Sequence, residues 1–257
     1  MNRLQHITDI RTKLASKQVT IGSWIQIPHS SVAEIMGASG YDWVAIDMEH
    51  GSIAYHQLPD LCRALELRST LPLVRLAESS AKEAKYALDA GAGGVIVPMI
   101  ESLQQLQHII ASSRWPPSGH RGVGFSRANL FGAEFDSYKI EAQSPLLVGM
   151  IETRTGLDNL DEILTADRLD ALMIGPYDLS ASLGVVANFK HQTYQSALDE
   201  INSKAMKHNI ALGIHVVEPN PALLEEALDQ GFIFCAYGTD SVFLSRASSK
   251  PTHLQHR

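Results

Sequence analysis

Cysteine is scarce: the 257 residues contain two, Cys62 and Cys235. Two thiols cannot build a disulfide framework, neither sits in a CxxC, and both lie in apolar patterns, so they read as core residues of a reducing compartment. Long apolar runs are absent too, since no stretch approaches the roughly 20 residues needed to span a bilayer. The N-terminus, Met1-Asn2-Arg3-Leu4-Gln5-His6, lacks the apolar centre of a signal peptide. The expectation is a soluble, cytoplasmic protein. A basic excess is also missing: 21 Lys and Arg against 28 Asp and Glu give a net charge of −7 and a pI near 5.9. That balance argues against nucleic acid or a membrane surface as partner. An anionic small substrate stays open, because a local arginine with a metal ion reverses the local field. Finally, no GxGxxG opens a helix early in the chain, which removes the usual support for a dinucleotide-binding fold.

What is present is a rhythm. With 45% hydrophobic and 19% charged residues the composition is that of a globular protein. After a leading helix over Ile7 to Ser16, continuous apolar runs predict strands at Val19–Ile27, Asp42–Met48, Pro72–Leu76, Gly93–Val97, Leu146–Ile151, Leu169–Ile174, Ile210–Val216 and Phe232–Tyr237. Helical patterns lie between them. One is capped by Ser30 or Ser31, one by Ser80 and one started near Asn220; a final helix is expected to be capped by Asp240. Runs that do not alternate are buried on both faces, as parallel strands are. Eight strand–helix units in about 250 residues predict a single (β/α)8 barrel domain over 1–257, of class α/β, with an open doubly wound sheet as the alternative. One segment, Arg114 to Ser144, breaks the rhythm with Pro116-Pro117 and four glycines; its interspersed Arg121, Phe125, Arg127, Phe131 and Tyr138 favour a functional excursion over a linker.

Barrel chemistry sits at the C-terminal strand ends. Those ends carry Trp24 and Gln26, then Asp47, Glu49 and His50, then Arg75, Pro98-Met99, Glu152, Gly175 to Asp178, His215, and Gly238 to Asp240. Glu152 and Asp178 close consecutive parallel strands and offer two oxygen ligands to a hard divalent cation such as Mg2+ or Mn2+. The competing reading pairs Glu152 with Arg154 or Arg121 and makes Asp178 a helix cap. His50, with an acid nearby, reads as a general base, or else as a histidine satisfied by a carbonyl in a turn. His215, between Ile214 and Val216 with no neighbouring acid, reads as structural; His120, in the long segment, fits either role. Arg75 is a guanidinium in an apolar strand and needs a partner, either an internal carboxylate or a substrate oxygen. Asp89 opposes the dipole at its helix end, which hints at a use beyond solvation. No lysine lies in a predicted strand, which argues against imine catalysis and leaves electrophilic work to a metal.

These residues stand in a joint pattern: Gly22-Ser23-Trp24, Tyr41 to Gly51 with Asp47-Met48-Glu49-His50-Gly51, Leu88-Asp89-Ala90-Gly91-Ala92, Val97-Pro98-Met99, Pro116-Pro117 with Gly119 and Arg121-Gly122, Ile151-Glu152-Thr153, Ile174 to Ser180, and Gly238-Thr239-Asp240-Ser241. The pattern, in order over nearly the whole chain, resembles the HpcH/HpaI aldolase family, class II pyruvate aldolases of the phosphoenolpyruvate/pyruvate barrel type. The resemblance implies cleavage of a 4-hydroxy-2-oxo acid, of the 2-keto-3-deoxy sugar acid or 4-hydroxy-2-oxo-dicarboxylate type, to pyruvate and an aldehyde. It implies Glu152 and Asp178 as ligands of Mg2+, Mn2+, Co2+ or a similar ion, with no organic cofactor. Arg75 would stabilise the enolate oxygen, and His50, oriented by Asp47, would move the hydroxyl proton. Asp89 would support that pair from a neighbouring subunit. Trp24, Tyr177 and Asp178 join Arg75 in binding substrate, the backbone N–H groups around Tyr177 and Asp178 taking its carboxylate. It further implies a homo-oligomer, a hexamer with the last helix exchanged between subunits. The chain departs from the pattern at Met150, where some members carry Gln, and over Val185 to His191, which lacks a proline-rich form. An oxaloacetate decarboxylase or CoA-ester lyase of the same superfamily, and a non-catalytic metabolite-binding barrel, are the competing functions.

Overall fold

A computed structural model describes residues 1–250. The strands form a closed parallel barrel in chain order: β1 (Thr20–Ile25), β2 (Trp43–Asp47), β3 (Leu71–Arg75), β4 (Gly94–Val97), β5 (Leu146–Ile151), β6 (Ala171–Ile174), β7 (Ala211–Val216) and β8 (Phe234–Thr239). Strand β8 pairs with β1 and closes the ring. The expected (β/α)8 barrel is therefore the fold, and the open sheet is not. The last positions of the expected domain, 251–257, lie outside the described residues.

Alternate residues of each strand point to opposite faces, and the core divides accordingly. Val44, Ile46, Val74, Val95, Val97, Leu172 and Ile174 face the surrounding helices. Trp43, Ala45, Leu71, Leu73, Ile96, Val148, Met173, Phe234 and Ala236 fill the barrel. Inside, Trp43 stacks on Phe234 with ring centroids 4.3 Å apart. The space is made by Gly22, where a Cβ would lie 2.2 Å from the Trp43 ring. Below them Ile7, Ile10 and Leu14 of the first helix, Arg3–Ala15, close the N-terminal mouth. The barrel is thus plugged at one end and open at the other.

Several local expectations need correction. Helix Ser30–Gly37 is capped by His29, whose Nδ1 accepts the Ser31 N–H, and not by Ser30 or Ser31. Helix Asp240–Ala247 begins with Asp240 inside it; the N-cap is Thr239. The Asp240 carboxylate instead accepts the backbone N–H groups of Gln26 and Ile27, both at 2.9 Å. Further along this helix Arg246 pairs with Glu218 at 2.7 Å. The segment 114–144 is not a bare loop: a 3-10 turn, Arg127–Gly132, and a helix, Phe135–Ala142, pack around Trp115 and Tyr138.

Candidate active site

Following the inward face of each strand to its C-terminal end gives one layer of residues: Trp24 and Gln26, Asp47, Arg75, Glu152, Gly175 and His215. Strand pairing sets Asp47 beside Arg75. A cavity of about 310 Å3 opens over this layer, lined among others by Trp24, His50, Arg75, Tyr177, Asp178 and His215.

Arg75 is fixed on three sides. Its Nε and Nη2 donate to the two Asp47 oxygens at 2.9 and 2.7 Å. Its Nη1 lies 2.7 Å from Glu49, and the guanidinium carbon sits 4.4 Å from the centre of the Trp24 ring. A guanidinium held in a carboxylate fork and stacked on an indole cannot wander, so its remaining N–H groups face the cavity preorganised. The two readings of Arg75 were not alternatives: it has an internal partner and still borders the cavity.

Asp47 is fully buried. Burial alone would raise its carboxyl, but the Arg75 hydrogen bonds and charge outweigh that and hold it below its ordinary range. Gln26 Nε2 donates to it at 3.0 Å, while the Gln26 amide oxygen accepts from the Ser241 hydroxyl. Asp47 also accepts the backbone N–H groups of Glu49 and His50, at 3.1 and 3.2 Å. Its hydrogen bond to His50 thus runs to the main chain: Asp47 shapes the turn that presents the imidazole, and Arg75 takes the carboxylate's remaining capacity.

Glu152 emerges beyond β5 with one oxygen spoken for and one free. Oε1 accepts the Met99 N–H at 2.6 Å. Met99 adopts φ +53°, a left-handed backbone uncommon outside glycine, and that turn aims its N–H at Glu152. Oε2 is buried and has no hydrogen-bond partner among the described residues. It rests against Gly175, where a Cβ would stand 2.3 Å away, so glycine at that position is what admits the carboxylate. Burial drives the Glu152 carboxyl up to about 7; the Met99 N–H opposes this, and the charges of Glu49 and Asp178 add to it. Glu49 is likewise raised, by burial first, against the pull of Arg75.

Asp178 lies in the first turn of helix Pro176–Ser182, whose N-cap Gly175 supplies no side-chain cap. Asp178 is not the cap. The pairings considered for Glu152 go elsewhere, Arg154 to Asp158 and Arg121 to Asp89. Asp89 ends helix Ala81–Asp89, just ahead of β4, and so lies at the N-terminal end of the barrel, opposite the cavity. Burial raises its carboxyl, with Arg121 and Lys85 opposing. The structure therefore gathers Trp24, Asp47, His50, Arg75, Glu152, Tyr177 and Asp178 and leaves Asp89 apart.

Three residues at this end of the barrel carry no site signal of their own in the sequence. Gln26 and Glu49 had been placed at strand ends without a role. His215 was read as structural, yet its ring stacks on Trp24 at 5.0 Å and borders the cavity. Alternation along β7 would have found it, since Ala211 and Gly213 face inward and the next inward residue is His215.

Known proteins resemble this chain over most of its length. The family model for HpcH/HpaI aldolase/citrate lyase matches residues 20–247. The chain is 35% identical over 242 residues to a hydroxypyruvate/pyruvate aldolase of Roseobacter denitrificans, covering 93% of each. It is 35% identical over 240 residues to the 2-keto-3-deoxy-L-rhamnonate aldolase of Escherichia coli K12, covering 92% of this chain and 89% of that one. The crystal structure of an HpcH/HpaI aldolase/citrate lyase family protein from Burkholderia cenocepacia superposes with a TM-score of 0.87 at 28% identity, over 93% of this chain and 96% of that one. The chain belongs to the HpcH/HpaI aldolase/citrate lyase family and is an aldolase, a carbon–carbon lyase.

Proposed function

We propose that this aldolase cleaves a 4-hydroxy-2-oxo acid, of the 2-keto-3-deoxy sugar acid or 4-hydroxy-2-oxo-dicarboxylate type, to pyruvate and an aldehyde, with a divalent metal ion held by Glu152 and Asp178. The observation that carries the reading is the Glu152 Oε2 atom, buried, without a hydrogen bond among the described residues, and set against Gly175, which lines the cavity together with Asp178. A desolvated anionic oxygen without a donor is costly, and a cation is the group that offsets it. Among the described residues no cluster of three or more His, Cys, Asp or Glu is arranged to hold a metal. Two carboxylates suit Mg2+ or Mn2+, which keep most of their positions for water and substrate oxygens. Bound there, the ion would polarise the 2-oxo group and fix the oxo acid in one orientation.

The protein's own residues then divide the work. The C4 hydroxyl of the substrate gives its proton toward His50, directly or through one water, as the C3–C4 bond breaks. The electron pair of that bond moves through C3 to the C2 oxygen, where the Arg75 N–H groups meet the developing enolate charge. The aldehyde leaves, and C3 takes a proton to give pyruvate. The N–H groups of Tyr177 and Asp178, in the first helical turn and so without intrahelical acceptors, are placed for the substrate carboxylate. The relatives named above act, by their names, on pyruvate-type and 2-keto-3-deoxy acid substrates, which is the chemistry this cavity fits.

Asp89 serves this scheme only from another copy of the chain. Val123, Phe125, Leu130, Phe131 and Ile140 are all exposed in the segment that holds its partner Arg121, an apolar surface suited to a neighbouring subunit. We therefore place Asp89 at a subunit boundary of a homo-oligomer, a hexamer, and light scattering reads that mass directly. The function is tested by following pyruvate release from a panel of 4-hydroxy-2-oxo acids with and without EDTA. Cleavage that EDTA stops and Mn2+ or Mg2+ restores is expected. Cleavage indifferent to EDTA contradicts the metal, and decarboxylation of oxaloacetate with no cleavage of any member contradicts the aldol reading.

A further inference from the structure

The proposed reaction leaves one inward residue without a task. His215 borders the cavity, is half-buried, and shares Trp24 with Arg75: its ring lies 14° from parallel to the indole, and the guanidinium packs on the same indole. Its Nε2 stands 3.0 Å from the carbonyl oxygen of Gly238. A carbonyl only accepts, so Nε2 is the nitrogen that carries the proton. Burial, assisted by the charge of Arg75 and opposed by the Gly238 bond, drops this imidazole to about 4, so the ring is neutral. Neutral, with its proton on Nε2, it has a bare lone pair on Nδ1. The two ring nitrogens diverge, so the bond from Nε2 to Gly238 leaves Nδ1 without a share in it, on a side chain that lines the cavity. Nδ1 makes no hydrogen bond among the described residues and is not one of their sealed, unpartnered atoms.

Of the other polar groups that line the cavity, Gln26 is engaged with Asp47 and Ser241, the Thr239 hydroxyl donates to the Trp24 carbonyl, and His50 is assigned to the hydroxyl proton. Arg75 only donates, and Glu152 and Asp178 are the carboxylates assigned to a cation. A neutral acceptor in such company pairs best with an uncharged donor, and on an oxo acid or its aldehyde partner that donor is a hydroxyl. We propose that Nδ1 of His215 accepts a hydrogen bond from a hydroxyl group of the substrate, which makes His215 a specificity-determining residue favouring hydroxylated substrates over their deoxy counterparts. This rests on the aldolase reading above. The hydroxyl is either the one on C3 of the oxo-acid half or the one next to the carbonyl of the aldehyde half, and the same chemistry recognises both.

The test is a ratio, so loss of overall rate does not enter it. In the synthetic direction, kcat/KM is compared for hydroxypyruvate against pyruvate with one fixed aldehyde, and for glycolaldehyde against acetaldehyde with pyruvate. His215→Leu removes the acceptor at similar volume. His215→Phe removes it while keeping an aromatic ring on Trp24, and carries the comparison should the leucine variant not fold. A site built around a hydroxyl discriminates strongly against the analogue lacking it, so the hydroxyl-to-deoxy ratio should fall about 10-fold or more in one of the two pairs. The pair that moves identifies the half of the substrate involved. A ratio unmoved in both pairs overturns the role of His215. Exchange of the pyruvate methyl protons with deuterated solvent by the unaltered enzyme tests the underlying reading separately. Its absence overturns both, whereas exchange with unmoved ratios overturns His215 alone.

Discussion

The two ends of the barrel bury charge in opposite ways. At the plugged end Arg3 pairs with Glu66 at 2.8 Å and Glu141 at 2.7 Å, and Arg127 pairs with Glu66, so two arginines meet two glutamates. At the open end Asp47, Glu49, Glu152 and Asp178 gather around Arg75. The first network is balanced and closes on itself. The second has an excess of negative charge, an oxygen with no donor among the described residues and a cavity beside it. A balanced buried network holds structure, whereas an unbalanced one is held ready for something that is not protein. That contrast marks the open end as the candidate active site without reference to any relative.

Mutations should separate the two ends cleanly. The largest effect on catalysis is expected from Glu152→Ala or Asp178→Ala. A metal's electrostatic contribution of several kcal/mol corresponds to roughly 10^3-fold in kcat/KM, measured as pyruvate release at saturating Mn2+. Glu66→Ala should do the reverse: taking the carboxylate partner from buried Arg127, and one of two from Arg3, costs about 3 kcal/mol or more of stability, seen as a lower Tm, with kcat within about threefold of the parent enzyme. If Glu66→Ala abolished cleavage at a temperature where it remains folded, the division between the ends would be wrong.

Next in size is His50→Ala. Loss of the group that moves the hydroxyl proton should lower aldol cleavage about 100-fold. Decarboxylation of oxaloacetate has no such proton to move and should fall much less. Equal losses in the two assays would take that role from His50.

Much of this was legible in the sequence, and the reasons for the rest are specific. The barrel followed from eight apolar runs, because parallel strands covered on both faces leave no other pattern. Glu152, Asp178, Arg75 and Asp47 were found because a charge at the end of such a run demands an explanation. Glu49 and Gln26 carry no such signal; their roles come from contacts with Arg75 and Asp47 across strands. His215 has the backbone-carbonyl partner of a structural histidine, Gly238, and its place beside the cavity follows from a neighbour across the barrel, Trp24, which its neighbours in sequence do not indicate. Asp240 was misread for the same reason, since its partners Gln26 and Ile27 stand more than two hundred residues away in the chain.

Smaller effects concern pH and space. The Glu152 carboxyl is raised from its ordinary 4.5 to about 7 in the metal-free protein. A raised acid contributes stability that is present below its unfolded value and lost as pH rises through the folded one. Metal-free protein should therefore lose this contribution between about pH 4.5 and 7. The rise in Tm on adding Mn2+ should be larger at pH 8 than at pH 6, where the ion must displace a proton. A larger rise at pH 6 would contradict the sign. Gly175→Ala, which forces a methyl against Glu152 Oε2, should weaken Mn2+ binding about tenfold or more, in line with the loss seen when a ligand's supporting contact is disturbed. Calorimetric titration reads that change.

The most direct test of the central claim is a count of bound ions. Chelated protein titrated with Mn2+ should take up one ion per chain at the open end of the barrel, and Glu152→Gln, which keeps the shape and removes the charge, should take up none. Equal uptake by the two proteins would contradict the account.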